Sequence, residues 1–373
     1  MKVLFLHNSF PEYRIKFWEY LAESNKLKLI VTHQGLEKKL YSLNIKKNDL
    51  DVCYWNHKTW NEIKYFISEF DVVVLPPSDS IFDYIVSIYV ITLCKLKKVP
   101  YVYWTEMWEV PVSQQPFLRK IKNLIHKVMI VSLCKGAKCC IASGSKCKAY
   151  LDNNNLVNIS DKVFVAYDSN TSPQSCVDIR SMYNISQDAK IVLFLGRIIE
   201  RKGLHILIEA LSPLLQKNNI VLLVCGDGDY VEKCKRISDR NNLCDKVIFA
   251  GKIQPADRES YYLNSDLFVI PALRWHGMID IWALTVNEAL EQGTPVIATD
   301  AVGAAYDLID KHNGKMVEQG NIEELTEAIQ EVLLDKKLFL NRENIKKTYN
   351  STFSVKCMAD SFQKYLEFAL NNT

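Results

Sequence analysis

Two stretches of the chain open in the same way. Residues 2–8 (KVLFLHN) and 190–197 (KIVLFLGR) are continuous apolar runs that stop at a polar loop and lead into helix-like patterns. An apolar run without alternation is how a strand buried on both faces of a parallel sheet reads. After the first run the pattern predicts a helix over 14–24, strands over 28–33 and 71–76, a helix over 81–96 and a strand over 101–104. After the second, helices over 204–216, 230–241, 257–264 and 284–292 alternate with strands over 220–226, 246–251, 267–271 and 296–300. Alternation twice over predicts an α/β protein of two Rossmann-like, doubly wound parallel-sheet domains facing a central cleft. The expected domains are 1–170 and 190–353, joined by a polar linker over 171–189. A final helix over 354–373 is expected to pack back on the first domain.

Composition changes this picture little. The chain has 373 residues, 48% hydrophobic and 24% charged, enough for two real cores. No signal peptide is expected, because the opening apolar run is too short. The run YIVSIYVITLC (84–94) is about half of what a membrane-spanning helix needs. Eleven cysteines without paired C-x2-C spacing read as reduced thiols in a cytoplasmic protein, with no metal site.

Charge is more informative. The net value is +3, but residues 1–180 hold 24 Lys and Arg against 17 Asp and Glu, whereas the remainder holds 22 against 26. The basic excess includes CKLKK (94–98) and LRKIKNLIHK (118–127). These runs fit a peripheral contact with the anionic inner face of the plasma membrane, and they fit ordinary solvated helix faces equally. No motif for nucleic acid accompanies them.

Two segments carry candidate chemistry. In GRIIERKG a strand ends at Gly196, and Arg197 and Lys202 precede a helix, so two cations and a helix amino end share one sheet edge. That suits a diphosphate; a charged solvent loop is the plain alternative. In DIWALTVNEALEQGTPVIATD (280–300), Asp280 precedes a helix and Glu288 lies within it, roughly 7–8 Å along the axis. Phosphates over the helix amino end would leave one carboxylate near each flanking sugar ring, with backbone amides between them. The plain alternative makes Asp280 a surface loop acid and Glu288 a solvent-facing helix residue.

The order of these segments, with FLGRIIERKG, LLVCGDGD, VIFAGKI and DIWALTVNEALEQGTPVIATDAVG, resembles the donor domain of family 4 glycosyltransferases, retaining enzymes of the GT-B fold. The likeness is strong over about 190–335; FVAYDSN (164–170) and FSVKCMADSF (353–362) also look like that family, and the first domain matches in outline through FPEYRIKFWEYLA (10–22), YWTEMWE (103–109) and CIASGSKCKAYL (140–151). The resemblance implies a nucleotide-sugar donor, UDP-sugar favoured, and a glycan or polyprenyl-diphosphate-linked acceptor in cell-surface polysaccharide biosynthesis. It implies no metal and no other cofactor.

By the same resemblance, Arg197, Lys202 and Asp280 are the catalytic residues. Gly196, Lys252, Ile253, Trp282, Ala283, Leu284 and Glu288 form the donor-binding set. Arg14, Glu106 and His276 are acceptor-side candidates, each also readable as a structural residue. Three positions depart from the family: Asp280 replaces the usual Glu, Ala283 the usual Gly, and HNSFPEYR (7–14) lacks paired glycines. A nucleotide-sugar 2-epimerase of the same fold and a non-catalytic nucleotide-sugar-binding protein are the alternatives. A dehydrogenase is disfavoured, since no G-x-G-x-x-G follows either first strand.

Overall fold

The computed structural model of the chain describes residues 1–32, 50–78, 80–108, 113, 115–153, 158–171, 176–334 and 341–372. Its contacts divide it into two units. One comprises Met1–Trp108, Gln115–Asn170 and Val355–Thr373; the other is centred on Thr171–Ser354.

The first unit holds seven strands: β1 (Lys2–His7), β2 (Lys26–Val31), β3 (Asp51–Tyr54), β4 (Val72–Leu75), β5 (Tyr101–Thr105), β6 (Cys139–Ala142) and β7 (Val163–Val165). All pair in parallel, in the order β3-β2-β1-β4-β5-β6-β7. The second unit holds β8 (Lys190–Leu195), β9 (Ile220–Cys225), β10 (Val247–Gly251), β11 (Leu267–Ile270), β12 (Val296–Thr299) and β13 (Gly314–Val317), in the order β10-β9-β8-β11-β12-β13. Both sheets are therefore doubly wound. Chain order reverses between β1 and β4 in one and between β8 and β11 in the other, and at such switch points ligands bind beyond the strands' carboxyl ends.

The apolar runs become strands because both sheet faces are covered. In β8, Ile191, Val192 and Leu193 are fully buried, and the helix Leu204–Lys217 lays Leu204, Leu207, Ile208 and Leu211 against the sheet at helical spacing. In the first unit an aromatic core of Phe5, Phe17, Trp18 and Trp104 receives Phe362 from the helix Val355–Asn371. The Phe362 ring meets Phe17 edge-on at 4.8 Å between centroids. Burial of one such ring stabilises by about 1.5–3 kcal/mol.

Several boundaries differ from the sequence pattern. The strand expected over 28–33 runs Lys26–Val31, and residue 33 lies outside the described residues. The helix expected from 14 starts at Glu12, after Pro11. Within the expected linker, residues 172–175 lie outside the described residues, but Ile179–Met182 form a helical turn that packs in the second unit. Ile179 is buried, the Val177 amide donates to Ser260 Oγ at 2.9 Å, and the Tyr183 and Tyr261 hydroxyls bond at 2.8 Å.

Candidate functional site

The second unit concentrates the predicted residues at its β8/β11 switch point. The chain leaves β8 through Gly196 and Arg197, makes a single 3-10 turn over Glu200–Lys202, and enters the helix Leu204–Lys217 through Gly203. Gly203 has φ +72°, and a Cβ there would lie 1.8 Å from the Pro271 carbonyl oxygen. Only glycine permits that approach, which brings the turn against the chain leaving β11. The Leu273 amide donates to the Arg201 carbonyl at 2.7 Å and fixes the same contact. From the other side Gly226, at φ +143°, would drive a Cβ into the Gly196 carbonyl.

After β11 the chain makes a two-residue turn between Trp275 and Met278, with His276 at φ 48° and Gly277 at φ 74°. His276 sits exposed at its tip. The chain then reaches Asp280, whose amide donates to the Ala301 carbonyl at 3.0 Å and whose carbonyl accepts from Gly303 at 2.9 Å. Held by its backbone, Asp280 turns its carboxylate to Lys202, whose ammonium donates to Oδ2. Both side chains are largely buried, at 16% and 12% exposure. Arg197 is exposed.

Ala283 caps the helix Leu284–Glu291 in the left-handed region, at φ 64° and ψ 78°. No side chain caps this helix. The Val286 amide donates to the Ala283 carbonyl at 2.9 Å, and the amides of Leu284 and Thr285 stand without a side-chain cap at the positive end of the helix dipole. Trp282 is buried, and its indole N–H donates to Asn287 Oδ1 at 3.0 Å. Its side chain thus serves the helix, which leaves only its backbone for a ligand.

Glu288 corrects the plain expectation of a solvent-facing helix residue. It is 2% exposed. Its Oε1 accepts from Arg258 Nη1 at 3.0 Å and its Oε2 from the Tyr262 hydroxyl at 2.8 Å. Burial, with the adjacent Glu288 charge, pushes the Tyr262 hydroxyl well above its ordinary range. Sequence reasoning missed both partners. Lys252 is exposed and lies 3.5 Å from Asp227 Oδ2; Ile253 is half-buried beside it. Among the described residues no group of three or more His, Cys, Asp or Glu side chains is placed to hold a metal ion.

In the first unit, Arg14 corrects the expectation of a residue that meets an acceptor directly. It is 1% exposed, with its guanidinium forked onto both Asp168 oxygens (Nη2 to Oδ2 2.6 Å) and Nη2 also 2.9 Å from Glu106 Oε1. It lies 4.9 Å from the centre of the Trp104 ring. Burial alone would lower its pKa, but Asp168 and Glu106 outweigh it and hold the group charged. Glu106 is the exposed member of this trio, at 35%. Asp168, just beyond β7, lies in FVAYDSN, which carried the resemblance without a residue role. His7 adjoins the same cluster: it is buried, Arg14 is nearby, and its pKa falls to about 3, chiefly by desolvation. Trp104 is wholly buried, with its N–H on Ser143 Oγ at 2.8 Å, and Trp108 is nearly so, so both serve packing.

Residues 178–350 match the family model of the glycosyl transferases group 1. The chain is similar to an uncharacterized glycosyltransferase of Methanocaldococcus jannaschii, 29% identical over 185 residues, 47% of this chain and 46% of the relative. It is also similar to the lipopolysaccharide core biosynthesis glycosyltransferase LpsE of Rhizobium meliloti, 28% identical over 188 residues, 50% of this chain and 52% of the relative. A third relative is a GDP-mannose-dependent phosphatidylinositol monomannoside mannosyltransferase of Mycolicibacterium smegmatis, 26% identical with 44% and 43% covered. The chain thus matches about half the length of these curated relatives.

Among solved structures, HepE of Anabaena in complex with UDP superposes with a TM-score of 0.74 at 18% identity, covering 98% of this chain and 100% of that one. The fold is GT-B. The likeness to the glycosyl transferases group 1 lies in the second unit, over residues 178–350, just under half of the chain.

Proposed function

We propose that the chain is a retaining glycosyltransferase. It moves a sugar from a nucleotide-sugar donor to a glycan or lipid-linked glycan acceptor in cell-surface polysaccharide assembly, without a metal. The observation that carries this reading is the Lys202–Asp280 pair, which ties the turn that follows the exposed Arg197 to the loop that leads into the helix Leu284–Glu291. The donor diphosphate lies over that helix end, against Arg197 and Lys202. Asp280 contacts the transferred sugar, and Glu288, braced by Arg258 and Tyr262, receives the ribose hydroxyls. Lys252 and Ile253 border the base.

In the transfer step the acceptor oxygen bonds to the anomeric carbon on the face that the diphosphate leaves. The bond between that carbon and the phosphate oxygen breaks, and the acceptor proton passes to a donor phosphate oxygen. The quantity to stabilise is negative charge on the departing diphosphate, which fixed cations and helix amides supply without reorganising. A UDP-sugar is the favoured donor. The relatives give both precedents: HepE is solved with UDP-glucose, and the mycobacterial relatives are named for GDP-mannose.

The test is incubation of the full chain with labelled UDP- and GDP-sugars and lipid-linked acceptors, with the product anomer read by NMR. Transfer with retained configuration supports the reading. An inverted product, an epimerised donor, or donor retained without transfer would each replace it.

A further inference from the structure

In the first unit, the helix Phe117–Gly136 is turned inside out for a water-facing surface. Over its first three turns the apolar residues Leu118, Ile121, Ile125 and Val128, spaced by three and four, are 79%, 44%, 57% and 48% exposed. Three of its polar residues, Asn123, His126 and Lys127, are half-buried against the rest of the unit, while Lys122 is exposed beside the apolar residues. Asn123 Nδ2 donates to Gln115 Oε1 at 3.0 Å, His126 Nε2 lies 2.6 Å from the Ser78 carbonyl oxygen, and the Lys127 ammonium sits 4.8 Å from the centre of the Tyr150 ring.

The helix Ile81–Lys97 continues the same face. It is tied to its neighbour by the Tyr84 and Ser132 hydroxyls at 3.0 Å, and it exposes Ile81, Ile85 and Ile88 at 73%, 51% and 40%. An exposed apolar area spread over two helices marks an interaction surface.

Charge identifies the partner. Residues 81–98 and 117–136 hold eight Lys and Arg and a single acid, Asp83, which is buried. Arg119, Lys120 and Lys122 fall in the first two turns of their helix, where the dipole disfavours cations, so helix stability does not account for them. Neither helix is long and apolar enough to cross a membrane. We propose that this two-helix face rests on the surface of an anionic phospholipid bilayer, its apolar stripe among the acyl chains and its cations among the headgroups. A second copy of the chain is disfavoured as occupant, because a two-fold contact would set this excess of positive charge against itself. The proposal does not depend on the sugar-transfer reading.

The test is co-sedimentation of the full chain with vesicles of phosphatidylcholine alone and of phosphatidylcholine mixed with phosphatidylglycerol. Partition is expected to be about tenfold or more stronger on the anionic vesicles and to weaken between about 0.05 and about 0.5 M salt. Leu118→Ser combined with Ile125→Ser is expected to reduce it about tenfold while leaving thermal melting unchanged, since both side chains are exposed. Lys97→Glu with Lys122→Glu is expected to weaken binding to anionic vesicles only. Equal partition on both vesicle types, or unchanged binding by the serine variant, overturns the proposal. So does an absence of vesicle binding accompanied by a dimer, in sedimentation velocity, that the serine variant dissolves.

Discussion

Lys202 and Asp280, 78 residues apart, form an ion pair that joins the turn after β8 to the loop after β11. Asp280 takes one of the three ammonium donors of Lys202, which leaves two that can meet a diphosphate. Lys202→Ala should lower kcat/KM for the donor by roughly 10²–10³-fold, the usual cost of losing one such stabilising donor. Arg197→Ala should do the same with no change in melting, because Arg197 is exposed. Steady-state kinetics beside thermal melts check both, and near-full activity in either variant removes that residue from the mechanism.

Ala283 holds the positive φ that begins the helix Leu284–Glu291. An L-residue pays about 1–2 kcal/mol for that conformation. Glycine removes this strain and returns about 0.4–1 kcal/mol through the freer unfolded chain. Ala283→Gly should therefore leave stability unchanged or raise it by up to about 1.6 kcal/mol. Ala283→Val should lower it by at least about 1 kcal/mol, because a β-branched residue is poorly accommodated there. Urea unfolding of the two variants distinguishes these outcomes.

The architecture was legible where strands are buried on both faces. KVLFLH and KIVLFL read as strands because nothing polar interrupts them, and they became β1 and β8. The pattern gave no signal for β3, β6, β7 or β13; β6 (CCIA) is buried throughout but only four residues long. β3 is a four-residue edge strand with no buried residue, β7 has three residues, and β13 mixes Lys315 with Gly314. At the site, spacing put Asp280 before a helix and Glu288 inside it. It could not supply Arg258 and Tyr262, which lie 30 and 26 residues earlier and meet Glu288 only through tertiary packing. Arg14 was opaque for the same reason: its partners follow β5 and β7, and parallel pairing brings those strand ends together.

Glu288 carries a structural duty that can be separated from ligand binding. Glu288→Ala leaves the buried Tyr262 hydroxyl without its acceptor and removes the carboxylate from Arg258, and should cost about 2–3 kcal/mol. Tyr262→Phe removes one hydrogen bond to a charged acceptor and should cost about 1.5–3 kcal/mol. Denaturant titration gives both values. A ribose contact adds a rise in donor KM in Glu288→Gln greater than in Tyr262→Phe; equal KM values would leave Glu288 with the structural duty alone.

His7 predicts a pH dependence. Its folded pKa, about 3, lies below the ordinary 6.5, so the unfolded chain binds the extra proton between these values. The stabilisation is complete above pH 6.5 and is lost as pH falls toward 3. Between pH 6.5 and 5 the loss is about 1.6 kcal/mol. Melting of the parent should fall across that range more steeply than that of His7→Gln, which carries no titrating group at the position. Parallel curves would show that His7 is protonated without cost.

The most direct test of the central claim is calorimetric titration of UDP and of GDP into the full chain and into Lys202→Ala. The account predicts that one of the nucleotides binds the parent and that Lys202→Ala weakens it at least about tenfold, the order expected for a charge-assisted phosphate contact. Equal affinity for parent and variant, or no binding of either nucleotide to the parent, contradicts the placement of the diphosphate at this helix end.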